Sequence, residues 1–184
     1  MSDVTILMTI PEITGSSTLI GHEQEEPFGY EGWIPVKSIG FQLARTHADT
    51  SASTPAPGED GDPPPNTIET QVRPIDISRT CDNTTADILY WLSNKDSSQT
   101  TKSEVFIDFV HDSGLYYLRY LLKGVQLVRG ELEFGDPDDA TEKLTLTYDE
   151  VWIFQRRILE SGQVDLESKS DPLVYRVPGA ENES

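Results

Sequence analysis

Between Glu104 and Leu122 the chain reads EVFIDFVHDSGLYYLRYLL, and that stretch decides the fold class. Val105, Ile107 and Phe109 recur at every second residue, and so do Tyr116, Leu118, Tyr120 and Leu122. A period of two marks a strand with one buried face, because successive side chains leave the backbone on opposite sides. His111-Asp112-Ser113-Gly114, between the two runs, supplies turn-forming residues. The two strands are therefore predicted to form a hairpin.

The same pattern extends outward. Val125 to Phe134 follows Lys123-Gly124 as a further candidate strand. Leu144 to Phe154 aligns Leu144, Leu146, Tyr148, Trp152 and Phe154 on one face, with Glu150 as the polar exception. Upstream, Val4 to Ile10 alternates with Ile6, Met8 and Ile10 together. Gly32 to Leu43 and Ile68 to Ile77 complete the set, Pro35 favouring an edge or an irregular start in the former. One helix is predicted: Thr84 and Asp87 have capping-box spacing, Ile88, Trp91 and Leu92 share a face, and Asn94 is a suitable stop. Six or seven strands with one short flanking helix make a mainly β chain, a small β-barrel or two-sheet sandwich. Leu115 to Leu122 and the second half of Leu144 to Phe154 are apolar on both faces. Strands of that kind need cover on their outer side, from the helix or from another subunit.

The chain has 184 residues, 36% of them hydrophobic, which suits one globular domain with a real core. The expected division is a β domain over residues 1–158 and an acidic C-terminal tail over 159–184, in which Leu173, Val174, Tyr175 and Val177 could dock. Residues 46–67, THADTSASTPAPGEDGDPPPNT, contain five prolines and little that is large and apolar. They are expected to form an unpacked insert within the domain.

Fourteen Lys and Arg against 32 Asp and Glu give a formal charge of −18. The acids concentrate at the flanks: residues 1–67 hold 10 acids and 2 bases, 131–184 hold 14 and 5, and the middle is nearly neutral. That balance argues against binding nucleic acid through phosphate neutralisation and against adsorption to anionic membranes. No window approaches the ~18 apolar residues of a membrane helix, and MSDVTILMTI lacks a basic n-region, so neither membrane insertion nor a signal peptide is expected. Cys81 stands alone, which removes an internal disulfide and a cysteine-based metal cluster. His22, His47 and His111 show no zinc spacing, and HEQEE is not H-E-x-x-H. The acidic runs at Glu59–Asp62 and Asp136–Asp139 do not match an EF-hand and read as solvated turns. No catalytic, cofactor or metal residue is assigned.

The order of segments carries more information than their periodicity. ILMTIPEITGSS, the pair Gly21-His22, GWIPVKSIGF, RPID, the short helix, YLRYLLKGV and EKLTLTYDEVWIFQ follow one another from Ile6 to Gln155. In that order they resemble the Hcp (haemolysin-coregulated protein) family, the inner-tube subunit of the type VI secretion system. The chain departs from the family pattern by inserting EQEEPFGYE before Gly32, by the proline-rich insert, and by continuing beyond Ile158.

The resemblance implies a phage tail-tube-like fold that assembles into rings. The rings would be homohexamers, stacked into a hollow tube that a contractile sheath propels. It implies fold or assembly roles for Gly21, His22, Gly32, Trp33, Arg73, Pro74, Asp76, Tyr148 and Trp152. Implied partners are further copies of the chain, the spike, baseplate and sheath proteins, and effector cargo in the lumen. The implied route is cytoplasmic synthesis followed by secretion without a signal peptide. Two other readings remain open: a monomeric β-barrel that binds a ligand or protein, and a secreted effector carrying an Hcp-like domain.

Overall fold

A computed structural model describes residues 4–19, 29–47, 68–94, 101–135, 140–161, 163–165, 167–168 and 170–177. Its centre is the predicted hairpin, β7 (Thr101–Val110) against β8 (Tyr116–Glu133), antiparallel, with Ile107 opposite Tyr120 and Val105 opposite Leu122. Gly114, at φ +75°, closes the turn: its N–H donates to the His111 carbonyl, and His111 N–H donates to Leu115. A bulge falls between Phe109 and Val110.

Strands then add on both sides. β1 (Thr5–Thr9) pairs with β7, and β2 (Ile34–Val36) pairs with β1. On the other side β9 (Thr141–Thr147) pairs with the far half of β8, β6 (Ile75–Thr80) with β9, and β3 (Ser38–Gly40) with β6. The hydrogen-bonded order is thus β2-β1-β7-β8-β9-β6-β3, all antiparallel. Among the described residues no ladder closes this path into a barrel. Its two ends are instead consecutive pieces of one segment, separated by Lys37 alone, whose N–H donates to Ser78 of β6. The sheet wraps around one core in which Met8, Ile34, Ile75, Ile107, Leu122, Leu146 and Val151 have no more than traces of exposure. A separate two-stranded ladder joins β4 (Leu43–His47) to β5 (Ile68–Val72). β4 therefore takes up Thr46 and His47, placed by sequence in the insert; the remainder, 48–67, lies outside the described residues.

Gly32 to Leu43, expected as one strand, divides into β2 and β3 at Lys37, and Ile68 to Ile77 divides into β5 and β6 at Arg73-Pro74; two further expectations change later in the chain. β8 does not stop at Lys123-Gly124 but runs on as one 18-residue strand. Gly124 serves as a kink, at φ +62°, where a Cβ would lie 1.9 Å from Asp149 Oδ2. The second change concerns Leu144 to Phe154, which divides into β9 and β10 (Glu150–Gln155) around Tyr148-Asp149. Those two residues sit opposite the kink, with Asp149 N–H donating to the Lys123 carbonyl. An irregularity of this kind flips every side chain after it to the other face. Val151 and Ile153 therefore face the core, while Trp152 and Phe154 point outward.

The single described helix, α1 (Thr85–Ser93), buries Ile88 and Trp91 in the core, and Leu92 packs against Gly130 of β8. Its capping box does not form. Asp82 does the work instead, accepting from Thr84 N–H at 2.8 Å and Thr84 Oγ1 at 2.6 Å. After β10 the chain returns to the sheet as β11 (Leu173–Arg176), antiparallel to β10, with Tyr175 and Val177 packed on the core.

Candidate functional site

The residues singled out by sequence fall into three groups. Arg73, Pro74, Asp76 and Tyr148 form one. Arg73-Pro74 separates β5 from β6, as proline lacks the N–H a ladder requires. Tyr148 Oη donates to the Arg73 carbonyl at 2.9 Å, tying the β9–β10 junction to a residue 75 positions away. Burial, aided by the neighbouring Tyr120, holds the Tyr148 phenol well above its ordinary pKa, so it remains a donor. Asp76 is exposed and accepts from Thr145 Oγ1 at 2.8 Å across the β6–β9 ladder.

Gly32 and Trp33 belong to a second group on the other side of the sheet. Gly32, at φ +76°, hydrogen-bonds through its N–H to Ser17 and places Trp33 in a small cluster with Leu7, Tyr30 and Val110. Gly15 packs so tightly beneath that a Cβ would lie 2.2 Å from the Trp33 carbonyl oxygen. Trp152, the third location, stands on the outer face, stacked on Phe154 with ring centroids 6.4 Å apart and with the Lys123 ammonium 4.6 Å from its ring centre. Gly21 and His22 lie outside the described residues.

Sequence reasoning missed two buried polar networks. In one, Arg119 of β8 grips Asp108 of β7 with two bonds, Nε to Oδ1 at 2.8 Å and Nη2 to Oδ2 at 2.6 Å. Tyr30 Oη donates to the same carboxylate at 3.0 Å, and the Tyr116 ring lies 4.0 Å beneath the guanidinium. Burial opposes the charge on Arg119, but contact with Asp108 outweighs it and raises the pKa. In the other network Arg79 and Glu142, both fully buried, pair at 2.9 Å, and Arg79 also bonds Asp82. Among the described residues Glu142 Oε1 and Arg79 Nε have no hydrogen-bond partner. Asp108 and Glu142 each occupy an ordinary polar position of an alternating strand, so only the opposing Arg119, two residues beyond Tyr117, hinted at a cross-strand pair.

Chemically these networks hold strands in register. Arg119 and Asp108 face one another directly in the ladder, and so do Arg79 and Glu142. Among the described residues no three of His, Cys, Asp and Glu stand close enough to hold a metal ion. Among them, too, no helix is long and apolar enough to cross a membrane.

An architecture of one wrapped antiparallel sheet, one short helix and a separate two-stranded ladder can be compared with solved structures. A type six secretion system protein matches with a TM-score of 0.71, covering 95% of this chain and 96% of that one at 12% identity. An Hcp protein from Salmonella typhimurium matches with a TM-score of 0.62 over 96% and 95%, at 14% identity. The fold is that of the Hcp proteins. A type VI secretion system effector from Yersinia pestis shares it too, with a TM-score of 0.59, 94% and 99% coverage and 12% identity. No protein-family sequence model and no curated protein sequence matches the chain. At such identities the likeness is one of fold, and the Hcp fold here spans nearly the whole chain.

Proposed function

We propose that this chain is a structural subunit of a type VI secretion system, or of a related contractile injection device, and that it acts by self-assembly rather than catalysis. Its unit would be a hexameric ring, and stacked rings would form the hollow inner tube. The observation that carries this reading is the end-to-end match: one Hcp fold accounts for 95% of the chain and 96% of a type six secretion protein.

The outer surface supports the same reading. Phe134 is 76% exposed and Leu173 60%, and the outer edge of β11 has no ladder partner among the described residues. Ring closure covers such edges and apolar side chains, which a monomer leaves open to aggregation. In this reading the subunit passes out of the cell with the apparatus, meets the spike, baseplate and sheath, and carries effectors in the lumen. Gly32, Trp33, Arg73, Pro74, Asp76 and Tyr148 serve the fold of the subunit, and Trp152 serves assembly.

Light scattering on a size-exclusion column, with negative-stain imaging of the peak, tests the proposal. A mass near six chains with open rings is expected. A clean monomer at high concentration would overturn it and favour a monomeric binding module. The likeness to an effector supports a second reading, a secreted effector carrying an Hcp-like domain; a change in growth or physiology on expressing the chain inside a target cell, without the apparatus, would favour that one.

A further inference from the structure

The sheet formed by β1, β7, β8, β10 and β11 has two faces, and only one of them lines the main core. The other is covered over β1 and β7 by Tyr30 and Trp33. Over β8, β10 and β11 it stays partly open, and its side chains fall into two rows that cross the strands. The ladder registers set the first row: Phe106 opposite Leu121, Leu121 opposite Trp152, Trp152 opposite Val174. Val174 at its end is 42% exposed. The second row, two residues along each strand, is Glu104, Lys123, Glu150 and Arg176. Its charges alternate and sum to zero, with Lys123 3.9 Å from Glu104 and Arg176 3.6 Å from Glu150.

We propose that this face binds a second copy of the chain, sheet against sheet, about a two-fold axis parallel to the strands. A chain at −18 is repelled overall by its own copies, so a neutral patch with an apolar row is where self-contact costs least. The order of charges then selects the symmetry. An axis parallel to the strands reverses the row, so that Glu104 meets the partner's Arg176 and Lys123 meets the partner's Glu150. All four contacts join opposite signs. An axis along the row would set Glu104 on the partner's Glu104, and so on down the row, with four like-charge contacts. Aligned face-to-face packing of two sheets is an ordinary geometry for such a contact.

The pairing is weak by construction. Four strands about 4.8 Å apart and two rows deep offer a few hundred Å² on each copy, below the roughly 800 Å² per partner of a standard stable interface. A fast, concentration-dependent exchange is expected. The inference does not rest on the tube reading, because a ring closes through head-to-tail contacts whereas this contact is isologous. It can pair two monomers or two rings. Ring formation reads out as the unit mass, and this contact as its doubling.

Sedimentation velocity of the full chain over a range of concentrations, at low and moderate salt, tests it. The wild type is expected to double its unit mass reversibly. Lys123→Glu sets like charges across the axis and should weaken doubling at least tenfold. Adding Glu150→Lys to it makes all four facing pairs opposite again and should restore doubling. Val174→Asp, at an exposed edge position, should weaken it without that rescue. Urea unfolding confirms that each variant is folded. No doubling in the wild type, no effect of Lys123→Glu, or loss that Glu150→Lys fails to reverse in a folded protein would each overturn the proposal.

Discussion

Replacing Asp108 by Asn should destabilise this protein more than almost any other single polar change. The carboxylate is fully buried, accepts two bonds from Arg119 and one from Tyr30, and Arg119 itself is 5% exposed. Neutralising it leaves a guanidinium buried without its counter-charge, and breaking such a pair from one side costs about 3–5 kcal/mol. Total stability for a domain is typically about 5–15 kcal/mol, so the loss takes a fifth or more. At this chain length each kcal/mol moves the melting temperature by roughly 2–4 °C, which places the shift at about 6–20 °C. Arg119→Met should cost a similar amount, by stranding Asp108. The combination of Asp108→Val with Arg119→Met removes both charges and should recover most of the loss, since apolar replacement of a whole buried pair is often neutral or better. Urea unfolding read by tryptophan fluorescence suits the case, because Trp33 packs edge-on against Tyr30 at 5.0 Å. A single-variant loss below about 1 kcal/mol, or a double variant as unstable as the two singles added, would refute the reasoning.

The Arg79 network should give stability a two-sided pH dependence. Burial raises the Glu142 pKa above its ordinary 4.5, with Arg79 offsetting only part of it. Its contribution is therefore complete below that value and is lost as pH rises through the raised folded-state pKa. Asp82 is shifted the other way: burial opposes its charge, but bonds from Thr84 and Arg79 prevail and hold it below 3.8. Its contribution is present above that value and disappears as pH falls. Glu142→Gln should flatten the upper limb of a urea-midpoint profile, and an unchanged limb would count against it. Gly124→Ala should cost at least about 1–2 kcal/mol, the penalty of a left-handed conformation with a Cβ, before any shift of Asp149; an unmoved urea midpoint would show that the kink absorbs it. Ending the chain after Ser170 removes β11 and should lower stability and speed amide exchange along β10, whereas a native-like midpoint would make β11 a loosely held strand.

The parts of this fold that were legible in the sequence are those governed by side-chain period. β1, β7 and the first half of β8 show clean alternation, and α1 shows its apolar face, so each lay where the pattern put it. The errors gather where one residue breaks the period. Glycine at 124 looks like a strand-ending turn, yet the ladder continues past it on both sides. Tyr148-Asp149 reversed the inside and outside of everything after it, so Trp152 moved from the expected core to the surface. No local signal announces a bulge of that kind, since it is set by the strand opposite. The polar networks were illegible for a different reason. Asp108 and Glu142 look like solvent-facing positions, and only the opposing arginines, distant in sequence, make their burial tolerable.

The charge of the chain divides in a way that bears on assembly. Residues 68–130 hold 8 acids and 7 bases, a balance of −1, whereas residues 1–67 and 131–184 together carry −17. That near-neutral middle supplies β5, β6, α1, β7 and most of β8, around which the sheet framework is built. Within the framework, ion pairs such as Lys102–Glu12 and Lys143–Glu133 already offset much of what is left. A sheet surface so nearly balanced does not repel its own copies strongly. At physiological salt, exposed charges more than about 8 Å apart are largely screened. Self-association of a chain at −18 therefore requires only that the acid-rich segments stay beyond that distance from their counterparts. The apolar and alternating-charge rows of the sheet stand apart in sequence from most of the acid-rich runs, so the charge of those runs can be changed without altering the rows.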